Sequence, residues 1–161
     1  MSAASEVQVV TFGLGAEVFA VPVAYVREIL DYREPFRIPN GPDYLIGLTD
    51  LRGDGVTTID FRLRLGLLPV APGPNTRILV VDVPLPDGAL TLGLVVDRVL
   101  EVSSFDTAAI DGAPDIGVAW PSDYIAGVVK REQGFVVLVD LAHIFARDAA
   151  LAGPAAQSAA A

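Results

Sequence analysis

The chain has 161 residues, 52% of them hydrophobic, and a formal net charge of −9, enough apolar material for one ordinary domain or two small lobes sharing a core. With 20 acidic against 11 basic residues, it offers no basic face for nucleic acid and little attraction to an anionic membrane surface. It has no cysteine and one histidine, His143, which excludes disulfides, thiolate metal sites, a cysteine nucleophile and histidine-rich metal sites.

The first five residues read as a flexible N-terminus. The opening MSAASEVQVV has no basic region followed by a long apolar run, so it is not a secretory signal, and no apolar stretch approaches a membrane span. A soluble, cytoplasmic protein without membrane insertion is expected.

Glu6 to Leu14 and Glu17 to Pro22 are rich in Val and Phe around Gly15-Ala16 and predict a β-hairpin. Val23 to Leu30 spaces Val23, Val26 and Leu30 as a helix would, while its β-branched residues favour a strand, so a short helix or a bent strand is expected. Arg33 to Pro42 carries three prolines and reads as an extended connector. Asp43 to Gly66, DYLIGLTDLRGDGVTTIDFRLRLG, predicts a helical turn, two strands joined at Gly53-Asp54-Gly55, and a helix start. Val70 to Asn75 is the clearest internal break.

Beyond it, Arg77 to Val83 and Ala89 to Val96 predict strands joined by a Pro-Asp-Gly turn. Ser103 to Pro121 reads as a long polar loop, and a last helix runs through Leu141 to Arg147. Residues 149–161 are alanine-rich, lack an apolar face and are expected to be disordered.

Shifted by 80 residues without a gap, Asp43 to Gly66 lies on Asp123 to Ala146, DYIAGVVKREQGFVVLVDLAHIFA. Asp43, Tyr44, Gly47, Val56 and Asp60 meet Asp123, Tyr124, Gly127, Val136 and Asp140. Val23, Val26 and Glu28 match Val96, Val99 and Glu101 at an offset of 73. The chain therefore reads as two related half-domains, and its short strands suggest two small barrels, the first lobe over about 6–70 and the second over about 76–148.

No catalytic set emerges. Gly13-Leu14-Gly15 begins like a dinucleotide fingerprint, but position 18 is valine and the chain re-enters a strand. His143 sits among Leu141, Ala142, Ile144 and Phe145 with no nucleophile beside it and reads as structural. Asp60 and Asp140, at equivalent strand-to-helix junctions, read as duplicate helix caps. Gly47 and Gly127 read as positions whose backbone excludes larger residues, and Tyr44 and Tyr124 as anchors with buried rings and wet hydroxyls. Glu28 and Arg52 can pair with each other. Trp120 either packs on the body or marks a partner surface.

In this order and spacing, FGLGAEVFAVPVAYVREIL, DYLIGLTDLRG, TTIDFRLRLGL, LGLVVDRVLEV, DYIAGVVKRE and VVLVDLAHIF resemble the CheW chemotaxis coupling proteins across Glu6 to Arg147. The resemblance implies an all-β fold of two SH3-like five-stranded barrels packed around a shared core with short helices. It implies no catalytic activity, no cofactor and no metal, and an adaptor between the cytoplasmic tips of chemoreceptors and the regulatory domain of a CheA-type histidine kinase, recruited to receptor arrays at the inner membrane. Val26 and Glu28 of VREIL and Arg52 of LRG match the family's receptor-contact positions. The kinase contact is expected to be largely apolar and to lie on a lobe's outer face.

Three residues depart from the family pattern: Asp50 stands where asparagine usually precedes LRG, Gly55 replaces an aliphatic residue, and Thr57 replaces a proline. They are expected to loosen packing in that strand and to alter the charge beside Arg52. The alternative functions are a coupling protein for a pathway governing pili or gene expression, or a small-ligand-binding β-barrel, for which the sequence offers no convergent polar cluster.

Overall fold

The computed structural model describes residues 6–111, 124–131 and 134–146. Trp120, Asp123 (the repeat partner of Asp43), the tail from 149 and the end of the expected last helix lie outside them. The chain opens with strands β1 (Glu6–Leu14) and β2 (Glu17–Pro22), turned at Gly15, whose φ of 62° suits a residue without Cβ. A 3-10 turn over Val23–Tyr25 leads into β3 (Val26–Asp31), so the ambiguous stretch is a bent strand. A bulge between Val26 and Glu28 supplies the bend.

The proline-rich connector holds one short strand, β4 (Phe36–Arg37). Then come β5 (Leu45–Leu51), β6 (Asp54–Asp60) and the single-turn helix α1 (Phe61–Arg64). The second half supplies β7 (Arg77–Leu85), β8 (Gly88–Val96) and β9 (Arg98–Asp106), then a 3-10 turn over Thr107–Ala109, β10 (Ile110–Asp111), β11 (Ile125–Arg131), β12 (Gly134–Val139) and α2 (Leu141–Phe145).

The polar loop expected from Ser103 is structured as far as Asp111. β9 lies at a sheet edge beside β1 and shows one face to solvent, so its serines are at home while Phe105 is buried.

Two six-stranded sheets form, in the orders β10-β11-β12-β2-β1-β9 and β3-β7-β8-β6-β5-β4. They do not follow the contiguous lobes expected from the break at 70–76. The N-terminal hairpin β1–β2 belongs to the sheet of β9 to β12, joined through the parallel pair β12–β2, and β7–β8 belongs to the sheet of β3 to β6, joined through the parallel pair β6–β8. Each half lends its first hairpin to the other, and such a non-local exchange leaves no trace in local sequence pattern. Among the described residues the first lobe is thus 26–60 with 77–96, and the second is 6–22 with 98–111, 125–131 and 134–139. Each has the expected five full strands, with the two-residue β4 or β10 added at one edge.

The duplication is exact in register. Leu45 pairs with Ile59 and Gly47 with Thr58 across a bulge, and 80 residues on Ile125 pairs with Val139 and Gly127 with Leu138 across the same bulge. The offset of 73 marks another shared irregularity: β7 faces Val26 and then Glu28, while β1 faces Val99 and then Glu101.

The core has three parts. Leu51, Val56, Ile78 and Val80 fill the first lobe's barrel, and Val9, Ala20, Phe105, Val129 and Val136 fill the second. Between the lobes lies the largest cluster, centred on Phe12, Phe19, Phe61 and Phe145. Burying one phenylalanine contributes roughly 1.5–3 kcal/mol, so this shared layer is what makes the lobes one body.

Candidate partner-binding site

At the mouth of the first barrel, Leu51 pairs with Asp54, which leaves a two-residue loop of Arg52 and Gly53 with φ of 52° and 91°. Positive φ at both positions is the hairpin geometry that favours Asn-Gly or Gly-Gly. An arginine in the left-handed region costs about 1 kcal/mol, and strain of this kind gathers at functional places. The loop is held from below: Gly53 N–H donates to Asp50 Oδ1 at 2.9 Å, and Arg33 Nη2 donates to the Asp50 carbonyl oxygen at 2.5 Å.

From there the Arg52 guanidinium reaches β3 and closes a two-pronged bond on Glu28, with Nη2 to Oε1 at 2.6 Å and Nη1 to Oε2 at 3.1 Å. The bulge after Val26 turns Glu28 towards it. Hydrogen bonding by Arg52 holds the Glu28 carboxyl below the usual carboxylate range, with the charges of Arg52 and Arg33 adding to the effect. The Arg52 side chain remains 71% exposed, so it can still meet a partner.

Of the three expected contact residues, the fold joins Glu28 and Arg52 directly. Val26 begins the same strand but is half-buried against the shared core, where it supports the patch more than it presents itself. Exposed Ile29 and the Arg33 brace lie beside them and carry no signal in the sequence, since a strand residue and a post-strand arginine look ordinary until the sheet curls. Asp50 is occupied as the acceptor for the turn and does not take up Arg52. Gly55 is exposed, so the missing aliphatic side chain removes no core packing.

The second lobe repeats the place with different chemistry. Glu101 meets Arg131 Nη2 at 3.4 Å, and the Arg131 guanidinium lies 5.4 Å from the centre of the Phe105 ring. The turn residues 132–133 are outside the described residues.

Two arginines of α1 fasten the lobes together. Arg62 forms a fork on Asp97 at 2.6 and 2.8 Å, and Asp97 also accepts from the Gly15 N–H at 2.6 Å, which ties the β1–β2 turn to α1. Arg62 holds the Asp97 carboxyl below its ordinary range. Arg64 donates to the Tyr124 hydroxyl at 2.9 Å and the Ile144 carbonyl at 2.5 Å, among the rings of Tyr44, Tyr124 and Phe145. The Tyr124 hydroxyl, expected to be wet, is a cross-lobe acceptor. Charged residues in a short helix ordinarily read as solvent-facing, so the sequence did not mark them.

The expected structural roles hold elsewhere. Asp60 and Asp140 accept from the N–H groups of Leu63 and His143, capping α1 and α2. His143 Nδ1 lies 2.7 Å from Asp140 Oδ2, on a side chain 62% exposed. Gly47 and Gly127 are required by close approach and not by positive φ: a Cβ at Gly47 would overlap the Phe36 carbonyl, and one at Gly127 would meet the Ile110 side chain and the Asp111 carbonyl oxygen.

A cleft of about 410 Å³ is lined by Asp43, Asp60, Arg62 and Asp97 beside the 70–76 loop. Its Asp60 and its Arg62–Asp97 pair are already spent on structure. Among the described residues no group of side chains could hold a metal ion, and no helix is long and apolar enough to cross a membrane.

Comparison with known proteins places these features. The family model described as CheW-like domain matches residues 8–149. Chemotaxis protein CheW of Klebsiella aerogenes is 33% identical over 130 residues, covering 81% of this chain and 76% of that protein. Chemotaxis protein CheW of Rhizobium meliloti is 29% identical over 138 residues, covering 86% of each. The crystal structure of scaffolding protein TtCheW from Thermoanaerobacter tengcongensis superposes with a TM-score of 0.76 at 24% identity, over 86% of this chain and 92% of that one, which fixes the two-barrel fold. The chain belongs to the CheW-like domain family.

Proposed function

We propose that the chain is a non-catalytic chemotaxis adaptor. It joins the cytoplasmic tips of chemoreceptors to the regulatory domain of a CheA-type histidine kinase, working in the cytoplasm at receptor arrays on the inner membrane. The family match over residues 8–149 carries this reading. The site proposed for the receptor is the patch of Val26, Glu28 and Arg52. What supports the choice is a guanidinium held in a strained turn, aimed by Glu28 and left open to solvent. A planar fork of this kind suits carboxylates or helix-end carbonyls on a helical tip, where a lysine would reproduce the charge without the geometry.

The test is size-exclusion chromatography of the purified chain with a receptor signalling fragment and with the kinase regulatory domain. Each pair, and the three together, should co-elute. Failure to bind either protein would overturn the adaptor reading.

A further inference from the structure

The second barrel's mouth opens as a groove of about 970 Å³ lined by Val18, Arg98, Glu101, Lys130, Arg131 and Phe135, among others. Among the described residues three cations line it against one carboxylate, in a chain whose net charge is −9. Arg98 donates to the Gly15 carbonyl oxygen, Arg131 lies over the Phe105 ring and meets Glu101 at 3.4 Å, and Lys130 has no carboxylate partner among the described residues. Phe135 stands 54% exposed beside Lys130, its partner across the β11–β12 ladder.

The repeat sharpens the contrast. In the first lobe the corresponding cross-strand pair is Asp50 and Gly55, a carboxylate beside a bare backbone. The same place on the scaffold thus carries opposite charge and, in the second lobe, an aromatic platform.

We infer that this groove is a docking site for an acidic, amphipathic segment of a partner protein, whose carboxylates meet Lys130, Arg131 and Arg98 while one apolar side chain covers Phe135. Charge complementarity selects the occupant: apolar contact alone would suit a neutral partner, whereas three cations lining the groove with an exposed phenyl ring favour an acidic one. A second copy of this chain fits less well, because the carboxylates at its own first-lobe mouth, Glu28 and Asp50, are already bonded to Arg52 and to the Gly53 N–H. The inference does not rest on the adaptor role, and neither receptor nor kinase is needed to test it.

The test is fluorescence anisotropy of the full chain with a labelled glutamate-rich helical peptide bearing one leucine face, and with its lysine-for-glutamate counterpart. The acidic peptide should bind at low salt and the basic one should not. Lys130→Glu should weaken binding about tenfold or more, and raised salt should do the same. Phe135→Ser should weaken it at unchanged charge, and Asp50→Asn in the first lobe should leave it alone. Both altered side chains are exposed, and thermal melting of each variant confirms its fold. Absence of binding by the acidic peptide, or equal binding by folded Lys130→Glu, overturns the inference. Self-association in sedimentation that Lys130→Glu abolishes would give the groove to a second copy and overturn it as well.

Discussion

The two lobes keep the same backbone and spend it differently. Both have the bulge at the first glycine of the hairpin, the tyrosine whose carbonyl accepts from the capping aspartate at 2.8 Å, and the cap itself. The side chains hung on that frame diverge. The first barrel buries a hydroxyl pair, Thr49 and Thr58 at 2.7 Å, where the second holds Val129 and Leu138. Helix α1 carries Arg62 and Arg64 across to the other lobe, where α2 carries Ala142 and Ile144. One mouth presents an arginine fork and the other a basic groove. The duplication keeps what the backbone needs and varies the side chains at the two mouths.

The largest expected effect tests the shared frame. Gly47→Ala pushes a Cβ into the Phe36 carbonyl and should cost about 3 kcal/mol in urea unfolding. Gly127→Ala should cost less, because the Ile110 side chain can move although the Asp111 carbonyl cannot. Equal costs would mean that both glycines are held equally tightly and that the Ile110 side chain does not give way.

Next comes the one-sided fastening. Arg62→Ala should destabilise the chain by about 2 kcal/mol, since it leaves Asp97 partly buried with a lost charge-assisted bond. The linkage sign follows from the lowered Asp97 value: this stability is present above the ordinary carboxylate range and is lost as pH falls through the depressed one. Asp60 runs the other way. Burial raises its carboxyl, so its contribution is present below the ordinary range and lost as pH rises through the raised value. Urea midpoints measured against pH should therefore show a shallower acid-side loss for Asp97→Asn than for the parent.

A smaller effect comes from making the barrels alike. Thr58→Val alone should cost about 1 kcal/mol by leaving the Thr49 hydroxyl without its partner, Thr49→Val should cost less because the Thr58 hydroxyl keeps the Val56 carbonyl at 2.9 Å, and the pair should cost less than the sum. Strict additivity would show that the two hydroxyls do not act as a unit.

What was legible in the sequence follows the same division. Gly47 with Gly127, Asp60 with Asp140 and Val26-x-Glu28 with Val99-x-Glu101 stand out because a backbone constraint admits few residues, so both copies kept them. The hairpin exchange was not legible, because parallel pairing of β6 with β8 and of β12 with β2 joins residues far apart in the chain. Nor were Arg62, Arg64 and the basic groove, where side chains acquire meaning only from neighbours that the fold supplies. Arg52 lies between these cases: its motif marks it, and its left-handed backbone and its grip on Glu28 appear only in three dimensions.

The adaptor account is tested most directly by calorimetry of Arg52→Ala against a receptor signalling fragment and, separately, against the kinase regulatory domain. Removing an exposed side chain from a strained turn should change stability by less than about 0.5 kcal/mol. Receptor affinity should fall about ten- to a hundredfold, the worth of one charge-assisted contact, with kinase affinity nearly unchanged. Lost kinase binding with intact receptor binding would contradict the assignment of this mouth to the receptor, and loss of both with a lowered melting temperature would make Arg52 a structural residue only.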